Sequence, residues 1–136
     1  MRAGPRKQTY FAPSEVNAAI VSCGGLDPGI NIVVREITNT LHYGYNVKRA
    51  WGVRFGWRGF KDEQAKDWLE LTQETVLHIH KEGGSVLGYS TDECDVENVL
   101  TVLEERGVRR NLNNMHMRPS ATGPFVLEPR DHSFNP

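Results

Sequence analysis

The chain has 136 residues, enough for one modest domain with a buried core. A formal net charge of −1 excludes the strongly basic surface that nucleic acid or an acidic membrane would select. No stretch approaches the roughly 20 apolar residues of a membrane span, and the start, MRAGPRKQTYFAPSE, lacks the apolar core of a secretory signal.

Residues 1–13 are polar and punctuated by proline, and read as an arm ahead of a folded unit spanning 14–107. Residues 18–23 are almost wholly apolar, as in a strand covered on both faces of a parallel sheet. Gly24 and Gly25 allow a sharp turn, which Asp27, Pro28 and Gly29 extend. Beyond it Ile30, Val33, Val34, Ile37 and Leu41 predict the apolar stripe of a helix that ends near Gly44. A strand, a glycine pair and a helix form a geometry that aims backbone N–H groups and a helix dipole at a phosphate. The same glycines serve equally to let strand and helix pack closely, and they match neither a Walker loop nor a dinucleotide fingerprint.

Residues 47–55 predict a second strand. The following Gly56-Trp57-Arg58-Gly59-Phe60 reads as an exposed contact loop. A charged connector over 61–70 leads to a helix over 74–81 with Thr72 as its N-cap. Residues 85–87 predict a third short strand, and Gly88 to Thr91 a second glycine turn with the hydroxyls of Ser90 and Thr91. Asp95 is placed to cap a helix over 96–106, closed by Gly107. The order is β-α-β-α-β-α, an α/β fold with a parallel sheet. Loops at the carboxyl ends of such strands converge on one crevice, which makes Gly24, Gly25, Ser90 and Thr91 the candidate ligand-binding residues. From Val108 the apolar pattern stops, and 108–136 has the composition of a disordered or loosely attached tail.

The remaining polar groups carry less. His78 and His80 stand two apart on a predicted helix and cannot share a metal. Asp92, Glu93 and Asp95 precede a helix and complement its dipole. Arg54 and Arg58 suit either a phosphate or solvent. Cys23 and Cys94 are too few for a disulfide framework and read as reduced thiols of a cytoplasmic protein.

Three segments together resemble the phosphofructokinases. Residues 23–31, CGGLDPGIN, are similar to the family's G-G-x-x-P-G-x-N signature; residues 52–60, GVRFGWRGF, to its second-strand loop; and residues 79–88, IHKEGGSVLG, to its I-H-x-x-G-G-[ST]-x-L-G segment. The arm Arg2-Ala3-Gly4-Pro5-Arg6 with Tyr10-Phe11 resembles the plant-type ATP-dependent branch. The resemblance implies transfer of the γ-phosphoryl of ATP to the 1-hydroxyl of fructose 6-phosphate, with magnesium, in a tetramer. It implies that Gly25 lies on the nucleotide phosphates with Gly24 beside it. It also places Thr91, followed by Asp92, where the family carries an arginine, a substitution expected to weaken ATP binding.

The family's G-G-[DN]-G-[ST] loop, its threonine–aspartate catalytic segment and its sugar-phosphate ligands have no counterpart after Gly107. The expectation is therefore an amino-terminal part of a phosphofructokinase-type nucleotide-binding half-domain, with no catalytic residue of its own and inactive alone. Its tail reads as the result of a frameshift, a retained intron or a truncated gene model. The alternative is a non-catalytic partner that forms oligomers with full-length subunits, or with itself, through a sheet edge left open by a missing strand.

Overall fold

The computed structural model describes residues 12–61, 67–108 and 125–126. Residues 1–11, with the plant-type arm, and most of the tail at 108–136 lie outside the described residues.

Two parallel strands form the centre, β1 (Asn17–Val21) and β2 (Arg49–Val53), paired in register from Asn17↔Arg49 to Val21↔Val53. Between them run α1 (Ile30–Asn39) and a wider π-type turn over Thr40–Gly44. β3 (Leu69–Glu70) pairs antiparallel with β2. After α2 (Gln73–Val76) and α3 (Val96–Glu105), β4 (Phe125–Val126) pairs antiparallel with Val21 and Ile20. The sheet order is β3-β2-β1-β4. The α/β class holds, but the sheet is mixed rather than wholly parallel.

β1 is buried on both faces, as its unbroken apolar run requires. Because side chains alternate along a strand, Ala18 and Ile20 enter a core with Val34, Leu41, Ala50, Leu71, Val76, Ile79 and Leu87. Ala19 and Val21 face the opposite way, into a core with Val53, Phe60, Trp68, Val99, Leu103 and Val108. The sheet thus lies between α1 with the 71–87 segment on one side and α3 with an aromatic cluster on the other.

Four expectations are corrected. The buried stripe of α1 is Ile30, Asn31, Val34 and Thr38, while Val33 is exposed. The expected stripe otherwise holds, with Ile30, Val34 and Leu41 buried and Ile37 packed on the core, and its two polar neighbours are tolerated because both find partners. Thr38 donates to the Val34 carbonyl at 2.8 Å, and Asn31 bonds the 82–86 loop. Residues 85–87 do not form a strand. The Val86 N–H, which a ladder would need, donates to Asn31 Oδ1 at 2.8 Å, and Gly88 N–H closes a turn onto the Ser85 carbonyl.

The helix expected over 74–81 ends after α2 and resumes as a 3-10 turn over Ile79–Lys81. Thr72 is nevertheless its N-cap, in a reciprocal capping box with Thr75. Finally, the glycine-aromatic stretch is no exposed loop. It is a 3-10 turn (Gly56–Phe60) with Phe60 buried edge-on against Trp68, ring centroids 5.2 Å apart, and Trp68 Nε1–H donates to the Gly59 carbonyl.

Candidate functional site

β1 and β2 end in register at Val21 and Val53, so the turns that follow them leave the sheet at one edge. In the first, Gly24 has φ +94°, a conformation that side chains rarely adopt, and its N–H donates to the Ser90 carbonyl at 3.3 Å. This bond joins the two glycine turns that the sequence singled out. A Cβ built on Gly24 or Gly25 meets nothing within 4 Å. Gly25 therefore answers to neither crowding nor a left-handed φ, and its backbone is open to an approaching group.

The second turn, after β2, is wedged between the others. A Cβ on Gly56 would lie 2.9 Å from the Ser22 carbonyl oxygen and 3.4 Å from Ser90 N and O. Phe55 itself is left-handed, φ +59°, held by its N–H donating to the Leu87 carbonyl at 2.7 Å. Its ring lies under Gly88, where a Cβ would sit 2.7 Å from Phe55 Cδ1. The Ser90 hydroxyl accepts from the Asp92 N–H at 3.0 Å, and Thr91 is exposed.

So the turn of Gly24 and Gly25, which leads into α1, lies beside the turn of Ser90 and Thr91. That helix has Gly29 at its N-cap, with no side-chain cap and no acidic residue in its first turn. Asp95 accepts from the Asn98 N–H and caps α3, as its position implied. Arg54 and Arg58 line a neighbouring cleft of about 340 Å³ with Phe55 and Asp67.

Other groups are not brought together. His42 bonds the Leu71 carbonyl at 2.8 Å, while His78 and His80 are exposed. No cluster of three or more His, Cys, Asp or Glu that would hold a metal occurs among the described residues. Burial, and then the nearby Cys94 sulfur, push the Cys23 thiol up to about 12, against a backbone hydrogen bond from Trp57. Burial followed by the Asp95 carboxylate also raises Cys94, so neither is an activated nucleophile. No described helix is long and apolar enough to cross a membrane.

Asn31 is the residue that the sequence argument passed over. Its amide donates to the Glu82 carbonyl at 3.2 Å and accepts from the Val86 N–H, fastening the segment that leads into the second glycine turn. A signal was available: an asparagine stands at the start of an otherwise apolar helix stripe, where only a partnered amide is tolerated.

A sheet covered on both faces, with three glycine turns packed together beyond the carboxyl ends of its two parallel strands, defines an α/β protein whose strand-end loops are the natural place for a ligand. The Phosphofructokinase family model matches residues 17–115, and the chain belongs to the phosphofructokinase family. It is 43% identical over 109 residues to ATP-dependent 6-phosphofructokinase 7 of Arabidopsis thaliana, covering 80% of this chain and 22% of that one. It is 47% identical over 107 residues to the chloroplastic ATP-dependent 6-phosphofructokinase 5 of the same plant, covering 79% of this chain and 20% of that one. A Borreliella burgdorferi ATP-dependent 6-phosphofructokinase is 38% identical over 112 residues, covering 82% of this chain and 25% of that one. The chain spans a fifth to a quarter of these relatives. The crystal structure of Pichia pastoris phosphofructokinase in the T-state shares its fold, with a TM-score of 0.57 at 22% identity over 68% of this chain and 10% of that one.

Proposed function

We propose that this chain is the nucleotide-side part of an ATP-dependent 6-phosphofructokinase, with Gly24, Gly25, Ser90 and Thr91 against the phosphates of ATP. The observation that carries the reading is the Gly24 N–H to Ser90 carbonyl bond, beside a Gly25 whose backbone lies open. Gly25 has no reason within the chain to lack a side chain, and close approach of a phosphate to its backbone supplies one. Phosphoryl transfer to fructose 6-phosphate rests on an acceptor site, a base and cationic groups around the transferring phosphoryl. Those belong, on this reading, to a longer protein, and the chain alone performs no turnover. Among the described residues no group of three or more His, Cys, Asp or Glu comes together, so on this reading a magnesium ion would be held largely by the nucleotide phosphates. The cytoplasm suits its two free thiols, although some relatives are chloroplastic.

Isothermal titration of the full chain with ATP tests the binding half of the proposal. Saturable binding that Gly25→Val abolishes, without a change in melting, is the expected result. A coupled assay with fructose 6-phosphate is expected to show no turnover; ordinary turnover overturns the claim that this chain lacks a catalytic half.

One observation favours a second reading, an interaction partner of full-length subunits. β4 pairs with Ile20 and Val21 alone, and at the other end of β1 Asn17 Oδ1 is buried with no hydrogen-bond partner among the described residues. Residues 17–19 of β1 are thus open to an added strand along that edge. Co-purification with an intact phosphofructokinase supports this; a monomer without effect on that enzyme refutes it.

A further inference from the structure

The turn after β2 carries a second feature, which rests on the nucleotide reading above. We propose that Arg54 and Arg58 form a clamp for the phosphate chain of a nucleoside polyphosphate. The argument begins with charge. The turn at Ser90 and Thr91 runs on into Asp92, Glu93 and Asp95, two of them exposed beside the crevice and the third capping α3. A polyphosphate there meets negative charge, and its balance must come from another loop at the same edge.

The β2 turn is that loop, since Gly56 packs against both Ser22 and Ser90. Arg54 and Arg58 flank it and line one cleft. Neither makes an ion pair among the described residues, although Asp67 lines the same cleft. The turn is also rigid. Phe55 is fixed in a sparsely populated left-handed conformation, and Gly59 lies so close under the Arg54 carbonyl that any Cβ would collide with it. The Arg54 guanidinium rests over the Phe55 ring, 5.2 Å from its centroid, which orders it without neutralising it.

Two guanidinium groups on a fixed turn present forked donors that match phosphate oxygens. Asp67 repels a bare phosphate but accepts a hydrogen bond from a sugar hydroxyl. The pair of arginines with one carboxylate therefore selects a nucleoside polyphosphate over a free anion.

The test is isothermal titration of the full chain with ATP and with inorganic tripolyphosphate, at low and high salt. Wild type is set beside Arg54→Gln/Arg58→Gln, Arg58→Gln alone and the neighbouring Lys61→Gln, and melting curves are recorded for each. The clamp predicts that the double variant binds ATP at least roughly tenfold more weakly, from the loss of charge-assisted hydrogen bonds. Arg58→Gln should lie between, Lys61→Gln within about twofold of wild type, and salt should weaken wild type most. If the double variant binds ATP like wild type while Gly25→Val loses it, the clamp is overturned and the nucleotide reading stands. Arginine-dependent binding with ATP no tighter than tripolyphosphate keeps the clamp and overturns the nucleotide reading. No binding of either probe overturns both.

Discussion

Replacing Asn31 with alanine should cut the 82–86 segment loose. The side chain is buried, at 3% exposure, and makes two hydrogen bonds to backbone: donation to the Glu82 carbonyl at 3.2 Å and acceptance from the Val86 N–H at 2.8 Å. Truncation leaves one donor and one acceptor unsatisfied in a part-buried setting. Each such loss costs about 1–3 kcal/mol, and partial solvent access favours the low end, so about 2–3 kcal/mol in all. With a urea dependence of roughly 1–3 kcal/mol per molar, the unfolding midpoint should fall by about 0.7–3 M. Hydrogen exchange locates the effect. The Val86 amide should lose protection in Asn31→Ala and keep it in Asn31→Asp, which retains the acceptor oxygen. A midpoint shift below about 0.3 M, or a Val86 amide as protected in the alanine variant as in wild type, would refute the reasoning.

Gly56→Ala combines φ +57° with a Cβ 2.9 Å from the Ser22 carbonyl oxygen, and should destabilise by about 1–3 kcal/mol in chemical denaturation. Thr72→Ala removes the capping-box side chain of α2 and should cost about 1 kcal/mol, read from the same denaturation curves. Because Cys23 is held up to about 12 in the folded chain and ionises near 9 when unfolded, its contribution to stability is intact below pH 9 and fades as pH rises toward 12. Melting temperatures across that range should fall less steeply for Cys23→Ala, and iodoacetamide at pH 8 should label Cys94 before Cys23.

The elements that were legible are those specified by neighbouring residues. β1 announced itself by an apolar run, α1 by the Gly-Gly and Asp-Pro-Gly turn ahead of it, and the helix caps by Thr72 and Asp95. What misled were segments whose backbone partners come from far along the chain. Residues 85–87 are apolar enough for a strand, yet Asn31, 55 residues away, takes the Val86 N–H. The Gly56–Phe60 turn looked like a display loop because no local pattern shows that Trp68 and Asn98 both bond its carbonyls. β3 spans two residues, too few to carry any alternation. Of the site, position was readable and contact was not. The two glycine turns could be named from the chain, whereas the bond from Gly24 to Ser90 and the wedge of Gly56 between them required the fold.

The free edge of β1 brings the two functional readings into competition. The chain leaves α3 beside the start of β1, with Asn17 Nδ2 donating to the Gly107 carbonyl at 3.2 Å and Val108 buried in the core shared with Ala19 and Val21. A strand could add there, beside residues 17–19 of β1. β4, which lies beyond the last residue of the family match, instead pairs antiparallel at the opposite end, next to the Gly24 turn. A strand along the whole edge would pair at five residue positions where β4 holds two, a gain that a partner from another chain has to set against the entropy of association.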